Sequence, residues 1–143
     1  MKNIYKSRTP YSGRMFEWEV FGNPTMDIAH DSTKNSLFES IMEVKKNQGN
    51  WDPTDPNTRF ANDLHALVAD KMGLDDYSDL KFYKALGGGL DHHWGADGFF
   101  EVDGKNRVFI DLTLRNKGLR DTVEIHPEDD LDEIATIIAE QLK

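Results

Sequence analysis

Two strand-like runs joined by Asp103-Gly104 restrict this chain more than any other feature. Asp-Gly between two such runs favours a tight hairpin, because both central turn residues must take positive φ. The hairpin sets residues 96–102 beside residues 107–115. In the second run Val108, Ile110, Leu112 and Leu114 fall on one face and are assigned to the core. Asp111, Thr113 and Arg115 fall on the other, with Phe109 beside them. Strand alternation requires that division. An acid inside an apolar strand must be paired, hydrogen-bonded or metal-bound, because burying a bare carboxylate is costly. Asp97 opens the neighbouring strand. Two carboxylates on adjacent strands form an oxygen-rich pocket suited to Mg²⁺ or Mn²⁺, the cofactor expected here.

The rest of the chain supplies the frame. Met15–Phe21 alternates aromatic or apolar residues with glutamates and predicts a strand. A helix starting at Asp31 or Ser32 runs to about Asn47. A second runs from Thr58 to Met72, with Gly73 closing it. Further strands are expected over Leu80–Leu86 and Thr122–His126, and a last helix over Asp130–Leu142, begun by acids that suit its dipole. Gly87-Gly88-Gly89 predicts a mobile turn. The fold class is α/β: a central mixed, largely antiparallel sheet of four to five strands flanked by helices. At 143 residues the chain reads as one domain. Residues 1–57 form an N-terminal strand and helix elaboration, 58–126 the core and 127–143 a C-terminal helix.

Composition narrows function less than fold. Without cysteine there are no disulfides, thiolate metal sites or Cys nucleophiles, which fits a cytoplasmic protein. No run approaches a membrane span, so no membrane partner is expected. The net charge of −9 does not suggest a protein that binds nucleic acid by neutralising phosphates. Locally the sign reverses: Lys105, Arg107, Arg115, Lys117 and Arg120 stand against Asp111 alone within residues 105–120. That stretch either faces something anionic or is an ordinary mixed-charge surface.

Asp97 at a strand start and Asp111-Leu112-Thr113 in the next strand, flanking a hairpin, resemble the PD-(D/E)xK nuclease superfamily. The resemblance covers residues 58–126 and implies a restriction-endonuclease-like core: a helix, three consecutive antiparallel strands, a helix and a strand. It implies that Asp97 and Asp111 hold the metal for hydrolysis of DNA phosphodiesters. Ala96 stands where the family has proline, and Thr113 where it has the catalytic lysine. Arg115 or Lys117 is then expected to supply the positive charge, and Asp63 an acid from the preceding helix. Glu39 is the poorer helix candidate. His92 and His93 either add a ligand or proton donor to the Asp97 site or are exposed loop residues. Trp18, Trp51 and Trp94 are either base-stacking platforms or core and contact residues. The competing class is a non-catalytic acidic protein, with a nuclease-like shell, that works through a protein partner.

Overall fold

A computed structural model describes residues 12–24, 36–114 and 122–143. The described elements, in order, are helices α1 (Gly13–Phe21), α2 (Leu37–Lys46) and α3 (Arg59–Lys71), strand β1 (Leu80–Lys84), helix α4 (Gly89–Trp94), strands β2 (Gly98–Val102), β3 (Asn106–Leu112) and β4 (Thr122–Ile125), and helix α5 (Leu131–Leu142). The strands form one mixed sheet in the order β1-β2-β3-β4. β2 runs antiparallel to both neighbours, while β3 and β4 are parallel.

Alternation along the strands sorts the apolar side chains into two layers. Leu80, Phe82, Phe100, Val102, Val108, Ile110, Leu112, Val123 and Ile125 face one side and pack with α1, α3 and α5. Tyr83, Phe99 and Phe109 face the other side and meet Ile41 and Val44 of α2 and Leu90 of α4. Both faces are therefore covered, as the mixed sheet with flanking helices requires. Leu114 departs from its expected core place and is 41% exposed, because β3 ends at Leu112.

α3 and α5 obey their start and stop signals. The Thr58 hydroxyl accepts from Ala61 N and Asp130 Oδ1 from Asp132 N. Gly73 closes α3 at φ 72°. Residues 31–35, where α2 was expected to begin, lie outside the described residues. The described helix opens at Ser36 with a capping box: Ser36 Oγ accepts from Glu39 N, and Glu39 Oε1 accepts from Ser36 N. That places Glu39 as an exposed cap rather than a site acid.

The strand expected at Met15–Phe21 is a helix. Ser12 caps it by accepting from Met15 N at 3.1 Å, and Gly22, at φ 73°, donates to Trp18 O at 2.7 Å. The buried residues are Phe16, Val20 and Phe21, a helical spacing, while Trp18 is 63% exposed. Among the described residues of 1–57 there are two helices and a turn-rich loop leading to α3, and no strand.

Two contacts fix α1 on the sheet. Lys84 Nζ donates to Phe21 O and Asn23 O, at 2.8 and 2.7 Å, and covers the carboxyl end of the helix. Burial pushes the Lys84 amine below its usual range. The Phe21 ring also occupies the space above Gly98. A Cβ there would stand 2.5 Å from Phe21 Cζ and 2.7 Å from the Tyr83 carbonyl oxygen. Gly98→Ala is therefore expected to cost about 1–3 kcal/mol by overpacking, read as a lowered midpoint in urea melts. An unchanged midpoint would mean that α1 does not sit on β2.

Candidate functional site

Asp97 lies at the mouth of β2, where the sheet and both helical layers meet. Gly95, at φ 70°, ends α4 and turns the chain into the strand. The Asp97 backbone is held on both sides: its N–H donates to Ile110 O and its carbonyl accepts from Ala85 N. Its side chain completes the ladder. Oδ2 accepts from Leu112 N at 2.8 Å, so the carboxyl rests on the peptide joining Asp111 to Leu112. The β2–β3 pairing ends at Gly98 and Ile110, and the Asp97 N–H donates to that same Ile110 carbonyl, so Asp97 sits just past the paired register beside the Asp111–Leu112 peptide. Both acids are only 3% exposed.

Two more acids border Asp97. Asp91 of α4 hydrogen-bonds its carboxyl, and Asp91 Oδ2 is itself fixed by Gly87 N at 2.9 Å. Glu17 of α1 adds its negative charge from the other helical layer. Burial, then the Asp91 hydrogen bond and charge, push the Asp97 carboxyl up to about 10; Glu17 pushes the same way and the Leu112 N–H opposes. A carboxyl–carboxyl hydrogen bond requires one proton between the two groups. The pair holds that proton at neutral pH, and burial of Asp97 is the largest reason it stays.

The row of acids extends across the sheet. Asp111 pairs in register with Glu124 on β4. The Glu124 side chain is 10% exposed and lies 4.0 Å from His126 Nε2. Sequence reasoning singled out Asp97 and Asp111 but missed Glu17, Asp91 and Glu124. Glu17 was assigned to a strand. The i, i+4 spacing of Glu17 and Phe21, bounded by Ser12 and Gly22, is the signal that would have found it. Nothing local marks Asp91 or Glu124, because their neighbours come from other elements.

Other candidates fall elsewhere. Asp63 is on α3, in the opposite layer from Asp91, with a half-exposed side chain 3.8 Å from Arg59 Nε. It does not join Asp97 and Asp111, because α3 turns its apolar stripe to the sheet and Asp63 outward. Arg115 and Lys117 lie outside the described residues. Thr113 is buried one residue past β3. His92 and His93 are exposed, as one of their two readings expected, but on the six-residue helix α4 rather than in a loop. Trp51 is a core residue, donating to Phe82 O at 2.8 Å, whereas Trp18 and Trp94 are exposed. His65 is buried and bound to Leu80 O at 2.7 Å; burial lowers its pKa, so it is a neutral core donor.

Every donor along the row is a hard carboxylate oxygen, which matches Mg²⁺ or Mn²⁺ rather than a softer metal. Among the described residues no group of three or more His, Asp or Glu side chains is already arranged as a metal site. Among the same residues no helix is long and apolar enough to cross a membrane. No family model, curated protein or solved structure matches the chain.

Proposed function

We propose that this chain is a metal-dependent nuclease that hydrolyses DNA phosphodiesters, with Asp97 and Asp111 as its working acids. One observation carries the reading: a buried carboxyl at the start of β2 rests on the β3 peptide that follows a second buried acid. The order of elements supports it. α3 is followed by the antiparallel strands β1, β2 and β3 and then by β4, as in a restriction-endonuclease-like core, although α4 stands between β1 and β2 where that core has no helix. Residues 115–121, where that core has its next helix, lie outside the described residues.

Asp97 and Asp111 would hold a hard divalent cation, which would supply Lewis-acid stabilisation at a phosphoryl oxygen and lower the pKa of a bound water. The chain's own residues do the rest. Burial of both acids keeps bulk water away and strengthens charge interactions at the site. The Leu112 N–H orients the Asp97 carboxyl. Arg115 or Lys117 answers the negative charge that develops at phosphorus, the task left open by Thr113.

Titration calorimetry with Mn²⁺ and Mg²⁺ on wild type and Asp111→Ala tests the reading. The expected result is binding by wild type and at least a tenfold loss of affinity in the variant, together with loss of DNA cleavage. A wild type that binds neither ion sinks it. The second reading then stands: a non-catalytic acidic protein that acts through a protein partner. Thr113 in the lysine position and the absence of a ready metal cluster among the described residues favour that alternative.

A further inference from the structure

We propose that α4 is a hinged cover over the Asp97 carboxyl, latched by the contact between Asp91 and Asp97. The inference rests on the reading of Asp97 as a working acid. At 3% exposure that carboxyl is closed to any phosphodiester, so an element beside it must move. Two helices bring acids to Asp97, and they differ in how firmly they are held. α1 buries Phe16, Val20 and Phe21 and is tied to β1 by the Lys84 ammonium. α4 is six residues long and buries one large apolar side chain, Leu90.

The ends of α4 are built to turn. Gly87 and Gly95 hold φ of 84° and 70°, and Gly88 and Gly89 add freedom at the first hinge. Asp91 bridges hinge and site: it accepts from Gly87 N and hydrogen-bonds Asp97. Swinging α4 outward therefore breaks the latch and uncovers the carboxyl in one motion. The seat it leaves is on α2, where a Cβ at Gly89 would lie 3.4 Å from Ser40 Oγ and 3.7 Å from Glu43 Oε1.

That seat allows a lock. The chain has no cysteine. Ser40→Cys with Gly89→Cys places two thiols at a separation that a disulfide can span. The probe is hydrogen exchange at Leu112 N–H, a β3 amide whose acceptor is Asp97 Oδ2. Oxidising the double variant is expected to slow Leu112 exchange at least tenfold against its reduced form, with α5 amides unchanged. Leu90→Ala, which weakens the seat without a cross-link, is expected to speed Leu112 exchange at least tenfold, again ahead of α5. Equal Leu112 exchange in oxidised and reduced protein overturns the cover, and so does Leu90→Ala if Leu112 and α5 amides accelerate together. Mn²⁺ titration of the reduced protein separates the two ideas. Loss of metal binding removes the nuclease reading, whereas an unresponsive Leu112 amide with intact metal binding removes only the cover.

Discussion

Asp97→Asn is expected to make the metal-free protein more stable at pH 8 by about 2–4 kcal/mol, while abolishing Mn²⁺ binding. In the folded protein Asp97 holds a proton to about 10, with burial as the largest cause. In the unfolded chain the same carboxyl titrates near its ordinary value of about 3.9. Folding at pH 8 therefore means taking up a proton that the unfolded chain has already released. Asparagine removes that requirement. Its amide oxygen can accept from Leu112 N as Oδ2 does, and its NH₂ can donate to Asp91 without a titrating proton. A residue that lowers stability where it sits is the pattern expected of a site kept for function. Urea melts in chelator at pH 8 check the prediction, and an Asp97→Asn protein less stable than wild type would sink it.

The same argument fixes the sign of the pH dependence. A folded pKa raised above the unfolded one gives stability that is complete below the unfolded pKa and lost as pH rises toward the folded pKa. Asp97 thus contributes a slope of about −1.4 kcal/mol per pH unit between roughly pH 4 and pH 10. His65 acts in the opposite direction: its folded pKa is lowered by burial, so its stabilisation is lost as pH falls below the usual histidine range. Asp52, Asp76 and Glu39 are lowered by hydrogen bonds, chiefly to Thr54, Ser78 and Ser36, and titrate at still lower pH. The window from pH 7 to pH 9 isolates Asp97 from these groups. Lys84, whose amine is lowered by burial, gains stability as pH rises in both proteins, so wild type should lose about 2–3 kcal/mol across the window relative to Asp97→Asn.

What the sequence discloses follows from how local each signal is. α3 and α5 were legible because cap, stripe and stop lie within one segment. The β2–β3 hairpin was legible because Asp103 and Gly104 both adopt positive φ, 58° and 71°, the conformation that Asp-Gly tolerates best. α1 was misread because seven residues, MFEWEVF, satisfy both periods: 16, 18 and 20 as a strand, or 16, 20 and 21 as a helix. The flanking Ser12 and Gly22 decide for the helix, and so move Glu17 to the site. α4 escaped because six residues that begin at the third of three glycines give no period to read. Asp97 and Asp111 could be found from a hairpin and an acid in an apolar strand. The contact between Asp97 and Asp91 could not, since it depends on where α4 lands.

A buried ion triad on the α2 face should show strong non-additivity. Glu101, 2% exposed, meets Lys45 of α2 through Oε1 at 2.8 Å and Arg107 of β3 through Oε2 at 2.5 Å. Lys45 and Arg107 are 22% and 18% exposed, so either can swing its charge toward water when freed. Glu101 has no such escape. Lys45→Met or Arg107→Met alone leaves it one cation and is expected to cost about 1–2 kcal/mol. Both together orphan a buried carboxylate and should cost about 4–5 kcal/mol, more than the sum. Adding Glu101→Leu to that pair removes the orphan and should recover most of the loss, because an apolar trio has no desolvation penalty. Additive single and double costs in urea melts would mean that Glu101 reaches water in solution. Recovery in the triple variant would establish that the triad fixes the pairing of α2, β2 and β3 rather than supplying net stability.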